Sequence, residues 1–181
     1  MEEQWKIVEE FPTYEVSNFG HVRRLGKPGV LRPKKARGDA WFVKLSYGGV
    51  SHSKTLKTLV AEAFVAKPEG YDPDIFDTPI QRTLNTDNVR ADNILWRPRW
   101  FAVTYRKQFR DLPLYWEMPV MNLDTGTEHA SVLTAALRDG VLMRDIYRSA
   151  GEGGQVFPTL HRYEFLYRIQ NGFPSVHRGG V

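Results

Sequence analysis

The 181-residue chain has no cysteine, which excludes both a disulfide framework and a thiolate zinc site. A metal would have to be held by His, Asp, Glu or Asn. Long apolar runs are also missing: nothing approaches the roughly 18 residues of a membrane span, and the opening Met-Glu-Glu-Gln-Trp has no apolar signal region. These absences lead to the expectation of a soluble, intracellular protein without a membrane partner. No Gly-x-x-x-x-Gly-Lys phosphate loop occurs, and Gly151-Glu152-Gly153-Gly154 reads as a flexible turn. The five histidines, at 21, 52, 129, 161 and 177, show no metal-ligand spacing. Neither a cofactor nor a metal site is expected.

Acid is scarce between Gly20 and Val60. There Asp39 stands alone against Arg23, Arg24, Lys27, Arg32, Lys34, Lys35, Arg37, Lys44, Lys54 and Lys57. A second basic group, Arg97, Arg99, Arg106, Lys107 and Arg110, meets no acid before Asp111. Carboxylates collect instead at Glu69, Asp72, Asp74 and Asp77, so the formal charge of +4 understates the local field. A one-signed stretch of this density attracts a polyanion through phosphate contacts. The competing reading is a solvated face that only keeps the protein in solution.

Apolar residues make up 41% and charged residues 25%, ordinary values for a globular chain. The pattern predicts an α+β fold in three segments with a tail. Residues 1–50 read as a basic antiparallel-sheet module: Tyr14-Glu15-Val16 and His21-Val22-Arg23 flank the turn Ser17-Asn18-Phe19-Gly20, and Trp41 to Leu45 alternates before Gly48-Gly49. Residues 51–112 form the middle segment. In it Leu56, Leu59, Val60, Ala63 and Phe64 share one helical face, a shorter helix is expected near Arg90 to Trp96, and Trp100 to Phe109 continues as another. The aromatics Trp96, Trp100, Phe101, Tyr105 and Phe109 have helical spacing and read first as core. With the interleaved arginines they also read as a surface for bases or for a protein.

Leu112-Pro113 is the linker expected from the end of the basic bias. Residues 113–170 then read as strand, helix, turn, helix, strand. Ser131 is the N-cap of a helix through Leu137, Asp139-Gly140 breaks it, Met143 to Ser149 forms the second helix, and Tyr163 to Ile169 closes the unit. That order is the layout of a helix-turn-helix DNA reader, with Arg144, Arg148 and Ser149 as candidates for base readout. Residues 171–181 are expected to be a mobile tail.

Trp5-Lys6 followed by Tyr14-Glu15-Val16-Ser17-Asn18-Phe19-Gly20-His21-Val22-Arg23 resembles the N-terminal, NUMOD4-like module of phage HNH homing endonucleases. Pro119 to Ile169 is similar to the helix-turn-helix repeat at their C-terminus, and the Leu56 to Trp96 region stands where their HNH core would. The resemblance implies a ββα-metal core, a double-stranded DNA partner and, if the chain is phage-encoded, the cytoplasm of the host cell. At the catalytic positions it fails. Where the family helix begins His-Arg-Leu-Val-Ala, this chain has Lys57-Thr58-Leu59-Val60-Ala61. Counting back from Trp96, the family histidine falls on Gln81, its preceding acid or amide on Ile80, and the following Asp-Gly on Thr83-Leu84. Asn85, Asn88, Asp92, Asn93 and Trp96 are retained, and a further family asparagine would fall near Ala102.

Phosphodiester hydrolysis in such a site needs a base with a near-neutral pKa and a cation to stabilise phosphate charge. Gln81 and Ile80 supply neither. The expectation is therefore a DNA-binding protein derived from a phage HNH homing endonuclease, with its catalytic histidine and metal ligands lost. Two alternatives stand beside it. One is an inactive nuclease scaffold recruited as an accessory or structural protein that binds a host or viral assembly. The other is an active metal-dependent endonuclease with relocated groups, in which Asn88 or Asn93 would act; otherwise those asparagines brace turns.

Overall fold

Alternation of apolar and polar residues through the first fifty-five positions produces two three-stranded antiparallel sheets. The computed structural model describes residues 2–36, 40–83, 85–170 and 173–176; Arg37, Leu84, His177 and the remaining tail residues lie outside them. The fold is α+β and divides into two compact units, Met1–Ala102 and Val103–Val181. The first unit opens with β1 (Trp5–Val8), β2 (Phe11–Ser17) and β3 (Val22–Arg24), in that spatial order. The second sheet holds β4 (Lys34–Lys35), β5 (Trp41–Tyr47) and β6 (Val50–Thr55), with β5 central. Val16, Val22, Val43 and Leu45 are buried, and the Tyr14 hydroxyl accepts the Ser46 N–H at 3.2 Å.

Helix α1 (Leu56–Phe64) follows β6 directly, with the Thr55 hydroxyl accepting from the Thr58 N–H as N-cap. Its apolar stripe of Leu56, Leu59, Val60 and Ala61 is buried, and α1 packs against β1, β2, β5, β6, β7 and β8. Full burial of a leucine or valine of this kind contributes about 1.5–3 kcal/mol.

Next come β7 (Thr78–Gln81), a loop, β8 (Ile94–Arg97) and α2 (Arg99–Lys107); β7 and β8 pair antiparallel, Gln81 opposite Ile94. This is a ββα succession. It corrects the helix expected over Arg90 to Trp96: only Ala91–Asn93 make a single 3-10 turn before the chain extends. Strand pairing with β7 and the Trp96 indole, which donates to the Val65 carbonyl at 2.9 Å, outweigh local helical spacing.

In the second unit β9 (Val120–Asn122) lies between β10 (Thr127–His129) and β11 (Tyr163–Phe165). Helix α3 (Val132–Asp139) starts from a capping box in which Ser131 and Thr134 exchange bonds, and ends at Gly140 with φ of +64°. Three residues later α4 (Met143–Glu152) begins. Val120, Val132, Ala135, Ala136, Val141, Met143, Ile146, Val156 and Tyr163 form the core. The closing strand is broken after Phe165, and β12 (Tyr167–Gln170) pairs with β13 (Phe173–Val176), so part of the expected tail is a hairpin strand. Among the described residues no helix is long and apolar enough to cross a membrane.

Candidate nucleic-acid interface

The register of the second sheet sorts its lysines. Lys34 pairs with Phe42 and Lys35 with Trp41. Because residues i and i+2 share a face, Lys34, Phe42 and Lys44 lie together, opposite the buried Val43 and Leu45. Lys34 and Lys44 are exposed on that outward face. Lys35 lies on the other face, with its ammonium 5.4 Å from the Trp41 ring centre and 2.9 Å from Asp87 Oδ1. Two adjacent lysines therefore serve different surfaces.

Other cations predicted from the sequence also separate by environment. Arg24, Lys27 and Arg32 are exposed, and among the described residues no carboxylate pairs with them or with Lys34 or Lys44. Arg23 bonds Glu15 at 2.8 Å and lies over the Trp5 ring; Lys54 pairs with Glu10. Lys57 is half-buried on α1, while Arg99, Arg106 and Lys107 are exposed on α2. Arg97 is a correction. It is 3% exposed, and its guanidinium donates to the Trp96 carbonyl at 2.8 Å beside the Phe101 ring. A guanidinium buried to this degree is a core group with no exposed edge to offer a phosphate.

The same division applies on α4. Helical period turns Met143, Ile146 and Ser149 inward and leaves Arg144, Tyr147 and Arg148 outward. Ser149 is the second correction: it is 4% exposed, donates to the Gly154 carbonyl at 2.7 Å and accepts the Tyr163 N–H at 3.0 Å. It is a splice between α4 and β11 with no edge for a base. Sequence reasoning missed Tyr147, which stacks on Tyr115 at 4.2 Å between ring centres and stands 37% exposed between the two arginines. Its i+3 spacing from Arg144 was the available signal.

In the ββα segment, Gln81 ends β7. Its Nε2 approaches three backbone carbonyls, those of Asn88 at 2.9 Å, Thr86 at 3.0 Å and Asn85 at 3.5 Å. Asn93 Nδ2 donates to the same Asn88 carbonyl at 2.7 Å, and Asn93 Oδ1 accepts the Thr83 N–H. Asn88 Oδ1 accepts the Arg90 N–H. The asparagines brace the β7–β8 loop. Ile80 and Ala102 are 3% and 1% exposed and apolar. These side chains do not offer a divalent cation the charged ligand it needs: the Gln81 amide turns its donor hydrogens to the loop carbonyls, and Ile80 and Ala102 have no oxygen in the side chain. Among the described residues no group of three or more His, Cys, Asp or Glu stands where it could hold a metal.

The braced loop is also fastened to the N-terminal turn. Ser17 Oγ accepts from the N–H groups of Phe19 and His21, and Asn18 Oδ1 accepts from Gln4. Across from them the Ala91 N–H donates to the Asn18 carbonyl, Arg90 lies 3.9 Å from the Phe19 ring centre, and Gly20 meets Val89. Of the aromatic run, Trp96, Phe101 and Tyr105 are core and Trp100 is 58% exposed.

Residues 3–46 match the NUMOD4 motif. The structure that records DNA binding and cleavage by the HNH homing endonuclease I-HmuI matches this chain with a TM-score of 0.51 at 19% identity, covering 90% of this chain and 97% of that one. No curated protein matches. The chain has the fold of an HNH homing endonuclease with a NUMOD4 motif at its N-terminus, and both findings support the resemblance read from the sequence.

Proposed function

We propose that this protein binds double-stranded DNA on an HNH homing endonuclease scaffold and does not cut it. The observation that carries the reading is a contrast within one unit. Cations that no described carboxylate pairs with are exposed on and beside the N-terminal sheets, while the side chain at the family histidine position is spent on holding a loop. Lys34, Lys44, Arg24, Lys27 and Arg32 are the phosphate contacts, with Arg99, Arg106 and Lys107 as a further group. The two helices of 113–170 act as a helix-turn-helix reader whose base contacts come from Arg144 and Arg148, with Tyr147 between them. The likeness to I-HmuI, whose structure concerns DNA binding and cleavage, supports the choice of DNA. The three-part division into 1–50, 51–112 and 113–170 belongs to the same proposal.

The test is a binding and cleavage assay on plasmid and short duplex DNA, with and without magnesium or manganese, across a salt series. The expected result is salt-sensitive binding without nicking. Metal-dependent nicking lost in Asn88→Ala or Asn93→Ala would replace this reading with a relocated active site. No binding at low salt, with a stoichiometric protein partner kept after nuclease treatment, would replace it with docking.

A further inference from the structure

We infer that Lys35 and Trp41 form a backbone-phosphate subsite that Asp87 occupies in the free protein, so that Asp87 acts as a built-in competitor for DNA. This rests on the proposed binding of DNA. Two donors converge on one oxygen: Asp87 Oδ1 accepts from Lys35 Nζ at 2.9 Å and from the Trp41 indole N–H at 2.8 Å. An ammonium and a neutral N–H aimed at one point form a receptor for a singly charged oxyanion. A phosphodiester carries the same single charge as the carboxylate and can accept from the same two donors, while the displaced but tethered carboxylate stays nearby and repels it.

The subsite is built before any ligand arrives. Antiparallel pairing sets Lys35 opposite Trp41, and the ammonium rests near the indole ring. Asp87 is placed from the other side by the β7–β8 loop, where its own N–H is held by Asn85 Oδ1 at 2.9 Å. The site is open, with the Lys35 and Asp87 side chains 37% and 56% exposed, and it lies at the edge strand β4. Both donors hold the Asp87 carboxyl below its usual range, Lys35 first and Trp41 second, as expected of two hydrogen bonds made to the charged form. An exposed ion pair is weak enough for a phosphate to displace.

The experiment measures the affinity of the full chain for a short duplex by fluorescence anisotropy across a salt series, comparing wild type, Asp87→Asn, Lys35→Ala and the double variant. Asparagine keeps the acceptor oxygen and the loop geometry but removes the charge. The D87N variant is expected to bind about 3- to 10-fold more tightly than wild type at low salt, and the gain is expected to vanish when Lys35 is alanine. If wild type binds and D87N binds no more tightly, the competitor role is wrong. If the gain persists without Lys35, the effect is general charge and the subsite is wrong. If wild type does not bind the duplex at all, the DNA reading itself fails.

Discussion

Replacing Gly20 with alanine tests whether the N-terminal turn and the β7–β8 loop are one cooperative piece. Gly20 has φ of +90°, which strains an L side chain, by about 1 kcal/mol where alanine replaces glycine at positive φ. The new methyl would also fall inside 3.0 Å of Val89 Cγ2, nearer than real side chains approach. Val89 is itself 9% exposed, with little room to retreat, and overpacking of that sort costs about 1–3 kcal/mol. The G20A variant should therefore lose about 2–4 kcal/mol, read by urea unfolding followed by circular dichroism. Val89→Ala alone should cost about 1–2 kcal/mol through the lost methyl groups. Combined, the two should cost less than their sum by about 1–2 kcal/mol, because the smaller side chain makes the space the methyl needs. A G20A loss under about 0.5 kcal/mol, or strict additivity of the pair, would refute the claim that these residues are in contact.

Ser149→Ala should destabilise the second unit by about 1–3 kcal/mol by orphaning the Tyr163 N–H, and should leave the sequence preference of DNA binding unchanged; a change in preference at equal stability would contradict its buried role. Lys34→Ala and Lys44→Ala should each flatten the logarithmic salt dependence of DNA binding by about 0.9, measured on a mixed-sequence duplex, whereas Arg97→Met should lower stability and leave that slope alone. Gln81→His should show no plasmid nicking with magnesium or manganese, because Ile80 and Ala102 still have no oxygen ligand; nicking would show that one residue separates this scaffold from an enzyme. Burial lowers the His129 pKa, against the attraction of Asp139, whose carboxylate lies 3.8 Å away. The unfolded chain therefore takes up a proton first as pH falls. Stability should be full above about 6.5 and decline below it, and His129→Gln should remove that portion of the decline in a pH series of unfolding curves.

Elements with a local cause were legible in the sequence. The 56, 59, 60 spacing on α1, the Ser131 cap and Gly140 stop of α3, and the Ser17-Asn18-Phe19-Gly20 turn each act within a few residues, and each is present. That residue 81, where the resemblance would set the family histidine, is a glutamine was also readable, since identity alone decides whether a side chain can take a proton. What the Gln81 amide does instead was not, because its three carbonyl partners are set by the path of a whole loop. The same limit explains the misplaced helix near Arg90 to Trp96: β8 exists because β7 pairs with it, an interaction that no window of sequence contains.

By itself the sequence determined the α+β class, the basic surplus and the glutamine at position 81, because composition, short-range period and side-chain chemistry belong to single residues or near neighbours. Only the tertiary structure decided which cations reach solvent. Burial removed Arg97 and Ser149 from the surface, strand register set Lys34 and Lys35 on opposite faces, and a loop some fifty residues away brought Asp87 to Lys35. Exposure and partnership depend on pairings between distant segments, and those are fixed by packing.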